Sequence, residues 1–255
     1  MNASPLLQRW EGEVCHLTLN RPEQGNALSR ELVDALDVAL DACAARMPAR
    51  VVIDGAGRHF CTGFDLSGLE AETDDSLLMR FTRIELLLQR VARAPFPTMA
   101  VAQGRVMGAG ADLFTACAQR IAVAGASFAF PGARGFGLVL GSRRLAACVG
   151  AQRARSWIES ACVISDTEAI AAGLATARVE AVQAVLPEPA ANGTSSLLDD
   201  FTAHAIEDAI DGNADVDDAR DLAALVRSAA RVGLQQRLTA YVQRQAQARR
   251  STGTR

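Results

Sequence analysis

The sequence predicts an α/β fold with a helical region at its C-terminus. Strand-like and helix-like segments alternate as far as about residue 180, and only helical patterns follow. The chain has 255 residues, of which 49% are apolar, so it can bury one large core. It contains no run of about 18 apolar residues, so no membrane-spanning segment is expected. We expect a cytoplasmic protein because the first ten residues lack a signal-peptide pattern.

The first predicted elements are a strand, a helix and a second strand. Apolar residues alternate with polar ones over residues 14–19, as is typical of a strand with one buried face. Leucines at helical spacing over residues 27–45 predict an amphipathic helix that ends before Pro48. A short apolar run at residues 51–53 predicts a buried strand that leads into a glycine-containing loop.

A second series of elements follows this loop. The segment that begins at Asp74 has capping residues for a helix, and the prolines at 95 and 97 end that helix. The series comprises a helix over residues 77–93, a strand over 98–103, a helix over 108–117 and a strand over 120–124. Uninterrupted helical periodicity then predicts one long helix over 142–162.

The last third of the chain is predicted to be helical. Ser165 begins a capping-box pattern that opens a short helix ending at Gly173. A loop is predicted over 187–196, with helices over 197–210 and 217–250. We therefore divide the chain into a core domain, residues 1–190, and a C-terminal helical region, residues 191–255.

The composition excludes several classes of function. All 26 basic residues are arginines, which excludes chemistry that depends on a lysine amine. A net charge of −3 argues against a general nucleic-acid-binding protein. The six cysteines form no C-x-x-C pair and the three histidines are not clustered, so we expect neither a disulfide framework nor a metal site.

Two glycine-containing loops are the candidate functional segments. The first spans residues 58–66 and the second, residues 104–113, joins a strand to a helix. Gly108 and Gly110 allow close approach of a ligand, and a helix beginning there would present unpaired N–H groups to an anion. Close packing of the helix against the strand is the alternative explanation for the same glycines. We expect His59 and Cys61 in the first loop to be packing residues.

Several motifs occur in a characteristic order. They are Asn20-Arg21-Pro22 with Asn26-Ala27-Leu28, the segment from Phe60 to Leu66, residues 104–113, Thr115-Ala116-Cys117, and the run from Glu168 to Leu174. Over about residues 10–180 this order resembles the enoyl-CoA hydratase/isomerase (crotonase) superfamily. The resemblance implies a crotonase-like spiral of ββα units and a homotrimer or a dimer of trimers. It also implies an acyl-CoA thioester substrate in fatty acid metabolism, with no metal and no cofactor beyond that coenzyme A.

The resemblance also implies roles for individual residues. In this superfamily two backbone N–H groups form an oxyanion hole that stabilises a thioester enolate, and they correspond here to Phe64 and Ala109. Arg58 matches a basic residue that contacts the phosphates of coenzyme A. Together with Arg58, the predicted substrate-binding residues are Gly63, Asp65, Leu66, Gly108 and Arg134.

Asp112 is the predicted acid–base residue. Family hydratases use two glutamates, and Asp112 occupies the first position with a side chain one methylene shorter. Gly132 occupies the second position, and no carboxylate lies between residues 126 and 142. A single acid–base group fits double-bond isomerisation better than the addition of water. The alternative for Asp112 is that it only complements the helix dipole.

Three further alternatives concern the site and the function. Arg134 could bind a carboxylate or carbonyl of the acyl group, or it could be a surface residue. An acid from the C-terminal third, such as Glu207 or Asp211, could complete the site. The second functional hypothesis is a catalytically impaired acyl-CoA-binding or subunit protein of the same fold, motivated by the missing glutamate.

Overall fold

The computed structural model describes residues 4–182, 202 and 213–252. In this part the strands are β1 (Leu6–Glu11), β2 (Val14–Leu19), β3 (Arg50–Gly55), β4 (Thr98–Ala102), β5 (Arg105–Met107), β6 (Gln119–Val123), β7 (Ser127–Ala129), β8 (Ile164–Ser165) and β9 (Ala177–Val179). The α-helices are α1 (Arg30–Arg46), α2 (Asp74–Ala92), α3 (Ala109–Ala116), α4 (Gly132–Phe136), α5 (Ser142–Val149), α6 (Ala151–Ser160), α7 (Asp166–Ala171), α8 (Ala214–Ala229) and α9 (Leu234–Thr252). Short 3-10 helices lie at Pro22–Gln24 and Leu69–Ala71.

The strands form two sheets, and the chain passes repeatedly from one to the other. The larger sheet has the order β1-β2-β3-β4-β6-β9, and all its pairs except β1 with β2 are parallel. The smaller sheet has the order β5-β7-β8, with β5 and β7 parallel. Because β4 and β6 lie in the large sheet while β5 and β7 lie in the small one, the chain follows a spiral. The predicted α/β class with its crotonase-like spiral is confirmed.

Local sequence signals account for most of the first elements. Along β2, Cys15, Leu17 and Leu19 are fully buried, as the alternation predicts. The side chain of Ser29 accepts a hydrogen bond from the N–H of Leu32 and so caps α1. The helix predicted from residue 77 begins three residues earlier, because Thr73 and not the acidic run after it forms the capping box.

Two long predicted helices are each interrupted by a glycine. The helix predicted over 142–162 is α5 followed by α6, because Gly150 between them has a φ of 82°. The helix predicted over 217–250 is α8 followed by α9, and Gly233 before α9 has a φ of 81°. Apolar periodicity continues through both interruptions, so the spacing of side chains does not reveal that a residue with positive φ lies in each of them.

Five strands were not predicted. Strands β5, β7, β8 and β9 contain only two or three residues each, which is too short for alternation to be recognised. Strand β1 is longer, but it is an edge strand with mostly exposed side chains. The predicted loop over 187–196 lies outside the described residues, as does the helix over 197–210 except for Thr202.

The C-terminal helices share the main hydrophobic core with the rest of the described chain. Leu225, Leu234 and Leu238 are fully buried and belong to the same cluster as the side chains of α1, α2 and α3. The predicted domain boundary near residue 190 falls outside the described residues and stays a prediction. None of the helices in the described part is both long enough and apolar enough to span a bilayer.

Candidate active site

The two glycine loops pack directly against each other at the N-terminus of α3. The N–H of Met107 donates a 3.0 Å hydrogen bond to the carbonyl of Cys61. A Cβ on Gly110 would lie 2.8 Å from Cys61 Sγ, and one on Gly63 would lie 2.7 Å from the carbonyl oxygen of Met107. Gly63 also has a φ of 101°. Both positions therefore need glycine so that the loops can approach this closely.

The backbone N–H groups of Phe64 and Ala109 are both unpaired with any described residue. The two residues line one cavity of about 840 Å³. Ala109 is the first residue of α3, and Gly108 before it has a φ of 51°. The positive end of the α3 dipole therefore faces the same cavity. An oxygen that becomes negatively charged there would be stabilised by both donors.

Asp112 lies in the first turn of α3 and lines this cavity. Its side chain is buried, and its Oδ1 atom has no hydrogen-bond partner among the described residues. Burial raises the pKa of Asp112 well above its ordinary value, the positive charge of Arg144 acts in the opposite direction, and the negative charge of Glu85 raises it further. Asp112 is therefore suited to hold a proton and to exchange it with a bound molecule.

Two side chains of the first loop have structural roles: Asp65 forms an ion pair, and Cys61 is buried in the core. Asp65 forms an ion pair of 2.8 Å with Arg21 and accepts hydrogen bonds from the backbone and hydroxyl of Ser67. Although burial opposes its ionisation, these bonds lower the pKa of Asp65. Cys61 is fully buried, as expected, and burial raises the pKa of its thiol to about 12. Leu66, which follows Asp65, lines the cavity.

The two loops contribute three basic residues, of which two line the cavity. Arg58 is exposed and is not among the residues that line the cavity in the described part. Arg105 and His59 do line it, and His59 Nδ1 accepts a 3.1 Å hydrogen bond from the backbone N–H of Arg105. Burial, followed by the charges of Arg105 and Arg58, lowers the pKa of His59. Sequence reasoning missed Arg105, whose only signal was its position directly after Gly104.

Part of the cavity lining is aromatic. The ring of Phe64 stacks on that of Phe81 at a centroid distance of 4.2 Å, and Phe81 lies 6.2 Å from Phe136. Phe136 in turn contacts Tyr241 edge-on at 5.3 Å. Helix α9 of the same chain contributes Tyr241, Val242, Gln245 and Ala246 to the lining. Sequence reasoning named none of these four residues, because they lie over 100 positions from the loops.

The structure does not bring Arg134 to the cavity. Its guanidinium donates a 2.8 Å hydrogen bond to the carbonyl of Ser160, and the side chain is exposed. Gly132 does line the cavity, so the position of the second family glutamate faces the site without a side chain. The described carboxylic acids in the lining are Glu23, Asp65 and Asp112. Glu207 and Asp211 lie outside the described residues.

Of these three acids, Asp112 is the one that is buried without an ion pair. Glu23 is exposed on the 3-10 helix at Pro22–Gln24, and Asp65 is paired with Arg21. Within the described ranges, no group of three His, Cys, Asp or Glu side chains converges in a way that could hold a metal ion. The arrangement can thus combine two N–H donors with one carboxyl group in a single cavity.

Comparison with known proteins yields a consistent set of relatives. Residues 9–243 match the profile of the family described as enoyl-CoA hydratase/isomerase. A Mycobacterium bovis protein named probable enoyl-CoA hydratase is 33% identical over 167 residues, which cover 64% of this chain and 65% of that protein. The match thus spans slightly less than two thirds of this relative's length.

Solved structures extend the similarity over nearly the whole chain. A Bordetella parapertussis protein described as an enoyl-CoA hydratase/isomerase is 40% identical, with a TM-score of 0.85, and the match covers 94% of this chain and 99% of that one. An enoyl-CoA hydratase from Bacillus halodurans is 19% identical with a TM-score of 0.78, covering 93% and 100% of the two chains. At that identity the second match shows the fold alone.

Proposed function

Because this chain belongs to the enoyl-CoA hydratase/isomerase family, we propose that it is an enzyme that acts on an acyl-CoA thioester through a stabilised enolate. The observation that carries the proposal is the pair of unpaired N–H groups, Phe64 and Ala109, in one cavity with the buried carboxyl group of Asp112. The family resemblance of the sequence had implied the same three residues.

The two N–H groups would hold the thioester oxygen. Charge moves onto this oxygen when a proton leaves the neighbouring carbon, so the donors bind the enolate more strongly than the ground state. The loss of one such donor typically costs about 3 to 4 kcal/mol of transition-state stabilisation. Both donors belong to a backbone fixed by the contact between Gly63 and the second loop, so they need no rearrangement during the reaction.

Asp112 would move the proton. In a double-bond isomerisation the carboxylate takes a proton from one carbon of the acyl chain and returns it to another. No water is added and no second acid is needed, so one carboxyl group suffices for the proton transfer. Burial raises the pKa of Asp112, which strengthens the carboxylate as a base and keeps the carboxylic acid available as a donor. Gly132 offers no side chain to orient water, so we rank isomerisation slightly above hydration.

The coenzyme A part of the substrate would lie on the side of the cavity that Arg105 lines. Arg105 lines the cavity and the exposed Arg58 acts with it on the pKa of His59, so both guanidinium groups could pair with phosphates. The aromatic side chains that line the cavity would pack against the acyl group. We propose no cofactor beyond this coenzyme A, and we retain the homotrimer or dimer of trimers and the cytoplasmic location as proposals.

The experiment that tests the proposal combines binding and turnover. Thermal shift with coenzyme A, crotonyl-CoA and octanoyl-CoA should show ligand-linked stabilisation. A 3-enoyl-CoA should then gain the absorbance of a conjugated enoyl thioester if the protein is an isomerase, whereas crotonyl-CoA should lose that absorbance if it is a hydratase. Asp112→Asn should abolish either change while binding persists.

The remaining outcomes separate the alternatives. Binding of thioesters without any turnover would favour the catalytically impaired acyl-CoA-binding protein, for which the bare Gly132 position is the supporting observation. No thermal shift with any thioester would overturn the acyl-CoA proposal itself. Turnover that survives Asp112→Asn unchanged would overturn the assignment of Asp112.

A further inference from the structure

A buried ion pair between α2 and α5 lies close enough to Asp112 for both of its charges to affect the pKa of Asp112. Glu85 on α2 is fully buried, and its two carboxylate oxygens accept hydrogen bonds of 2.9 and 2.6 Å from Nη1 and Nη2 of Arg144 on α5. Arg144 Nη1 also lies 3.2 Å from Oδ2 of Asp221 on α8, and Arg143 binds the same aspartate at 2.9 Å. Both Nη atoms of Arg144 therefore donate hydrogen bonds, and Glu85 is the partner that binds both of them.

The same helix, α5, also contacts Asp112. Gly141 is the N-cap residue of α5, and a Cβ on it would overlap the carboxyl group of Asp112. Arg144 lies in the first turn of this helix. Arg144 Nε and Asp112 Oδ1 are both buried without a hydrogen-bond partner among the described residues, and the two side chains form no ion pair with each other.

A direct ion pair between Arg144 and Asp112 would be harmful to proton transfer. A carboxylate bound to a guanidinium is stabilised in its charged form and becomes a weaker base. Arg144 has the charge and the position to do this, because α3 and α5 pack together. Glu85, by contrast, accepts hydrogen bonds from both Nη atoms of Arg144, and its negative charge partly neutralises the guanidinium.

We propose that Glu85 is a positioning residue for the proposed reaction: by engaging both Nη groups of Arg144, it keeps that guanidinium from pairing with Asp112. The Asp112 carboxyl thereby remains available to exchange protons with substrate. The inference rests on the proposed function, since it assigns Glu85 a role only if Asp112 moves a proton.

The electrostatics of the described residues agree with this role. Glu85 from α2 and Arg144 from α5 are the charged groups whose fields act on Asp112. Burial and Glu85 both raise the pKa of Asp112, and Arg144 at its present distance only partly opposes them. The pKa of Arg144 is itself raised, against the effect of burial, by its bonds to Glu85.

The test measures the titration of Asp112 directly. Carbon-13 NMR of protein labelled at aspartate carboxyl groups would follow Asp112, whose signal is identified by its loss in Asp112→Asn. Glu85→Gln removes the negative charge and should lower the titration midpoint of Asp112 by on the order of one pH unit. The same variant should lower kcat with little change in KM, and Glu85→Asp should restore part of kcat.

A matched control removes the charge of another largely buried carboxylate. Asp166 pairs with Arg178 at 2.8 Å and does not line the cavity in the described part of the chain. Asp166→Asn should therefore destabilise the protein without moving the midpoint of Asp112. An equal shift in Glu85→Gln and Asp166→Asn, or no shift in Glu85→Gln, would overturn the proposal.

A second variant covers the case in which Glu85→Gln does not fold, since it leaves Arg144 buried without its main partner. In Glu85→Gln with Arg144→Gln, no guanidinium remains to capture Asp112, so the midpoint of Asp112 should stay as high as in the wild type. A lowered midpoint in this double variant would refute the proposal. The proposed function fails separately, through turnover that survives Asp112→Asn, whatever the titration shows.

Discussion

Ala109→Pro replaces one proposed oxyanion N–H donor with the Cδ of proline. Ala109 is the first residue of α3, where proline is tolerated because its position needs no intrahelical N–H bond. The N–H of Ala109 has no partner among the described residues, so no hydrogen bond of the fold is lost. Removing one donor from an oxyanion hole typically lowers kcat by about 100- to 1000-fold, or about 2.7 to 4 kcal/mol.

The matched control is Ala151→Pro. Ala151 is likewise the first residue of a helix, α6, and likewise follows a glycine with positive φ, but it is exposed and does not line the cavity described above. Steady-state kinetics and thermal unfolding of the two variants would be compared. We expect the melting temperatures of both to stay near that of the wild type, with kcat lost only in Ala109→Pro. Equal kcat in both variants would refute the assignment of Ala109 as an oxyanion donor.

Three further predictions test other parts of the site and the fold. Gly141→Ala places a Cβ in the Asp112 carboxyl group and should abolish turnover, whereas Gly150→Ala, with positive φ but open space, should lower only the melting temperature. Because the folded-state pKa of Asp112 is raised, the wild type loses stability as pH rises from about 4, the ordinary pKa of an aspartate, through the folded-state pKa, so Asp112→Asn should gain stability over the wild type with rising pH in thermal melts. Leu238→Ala should cost about 2 to 5 kcal/mol in a single denaturant transition, unlike the exposed Val232→Ala; a separate early transition would show that α9 unfolds independently.

Local sequence signals predicted the elements that depend on local physics. Alternation marked β2, and leucine spacing marked α1, because one buried face is a property of residues that are near in sequence. The same signals ran through Gly150 and Gly233, since an apolar stripe does not record the sign of φ. Short strands of the smaller sheet were missed, because pairing partners and not residue patterns define them.

The residues of the candidate site divide into those that the sequence identified and those that only the fold brings to the cavity. Phe64, Ala109 and Asp112 were named from loops and motifs that are contiguous in sequence. Arg105 and Tyr241 were missed because the spiral, and the return of α9 over the loops, bring them to the cavity from elsewhere in the chain. Arg134 was named from the absence of an acid nearby, but its guanidinium lies on the carbonyl of Ser160.

By itself, then, the sequence determined the α/β class and the two glycine loops, and its family resemblance implied Phe64 and Ala109 as oxyanion donors and Asp112 as the acid–base residue. The class and the loops follow from residue patterns, from backbone freedom at glycine and from helix ends, which are set by neighbouring residues. Only the tertiary structure decided that Asp112 is buried without an ion pair while Glu85 holds Arg144. The proton affinity of a carboxyl group depends on burial and on charges from helices distant in sequence, and packing alone brings those together.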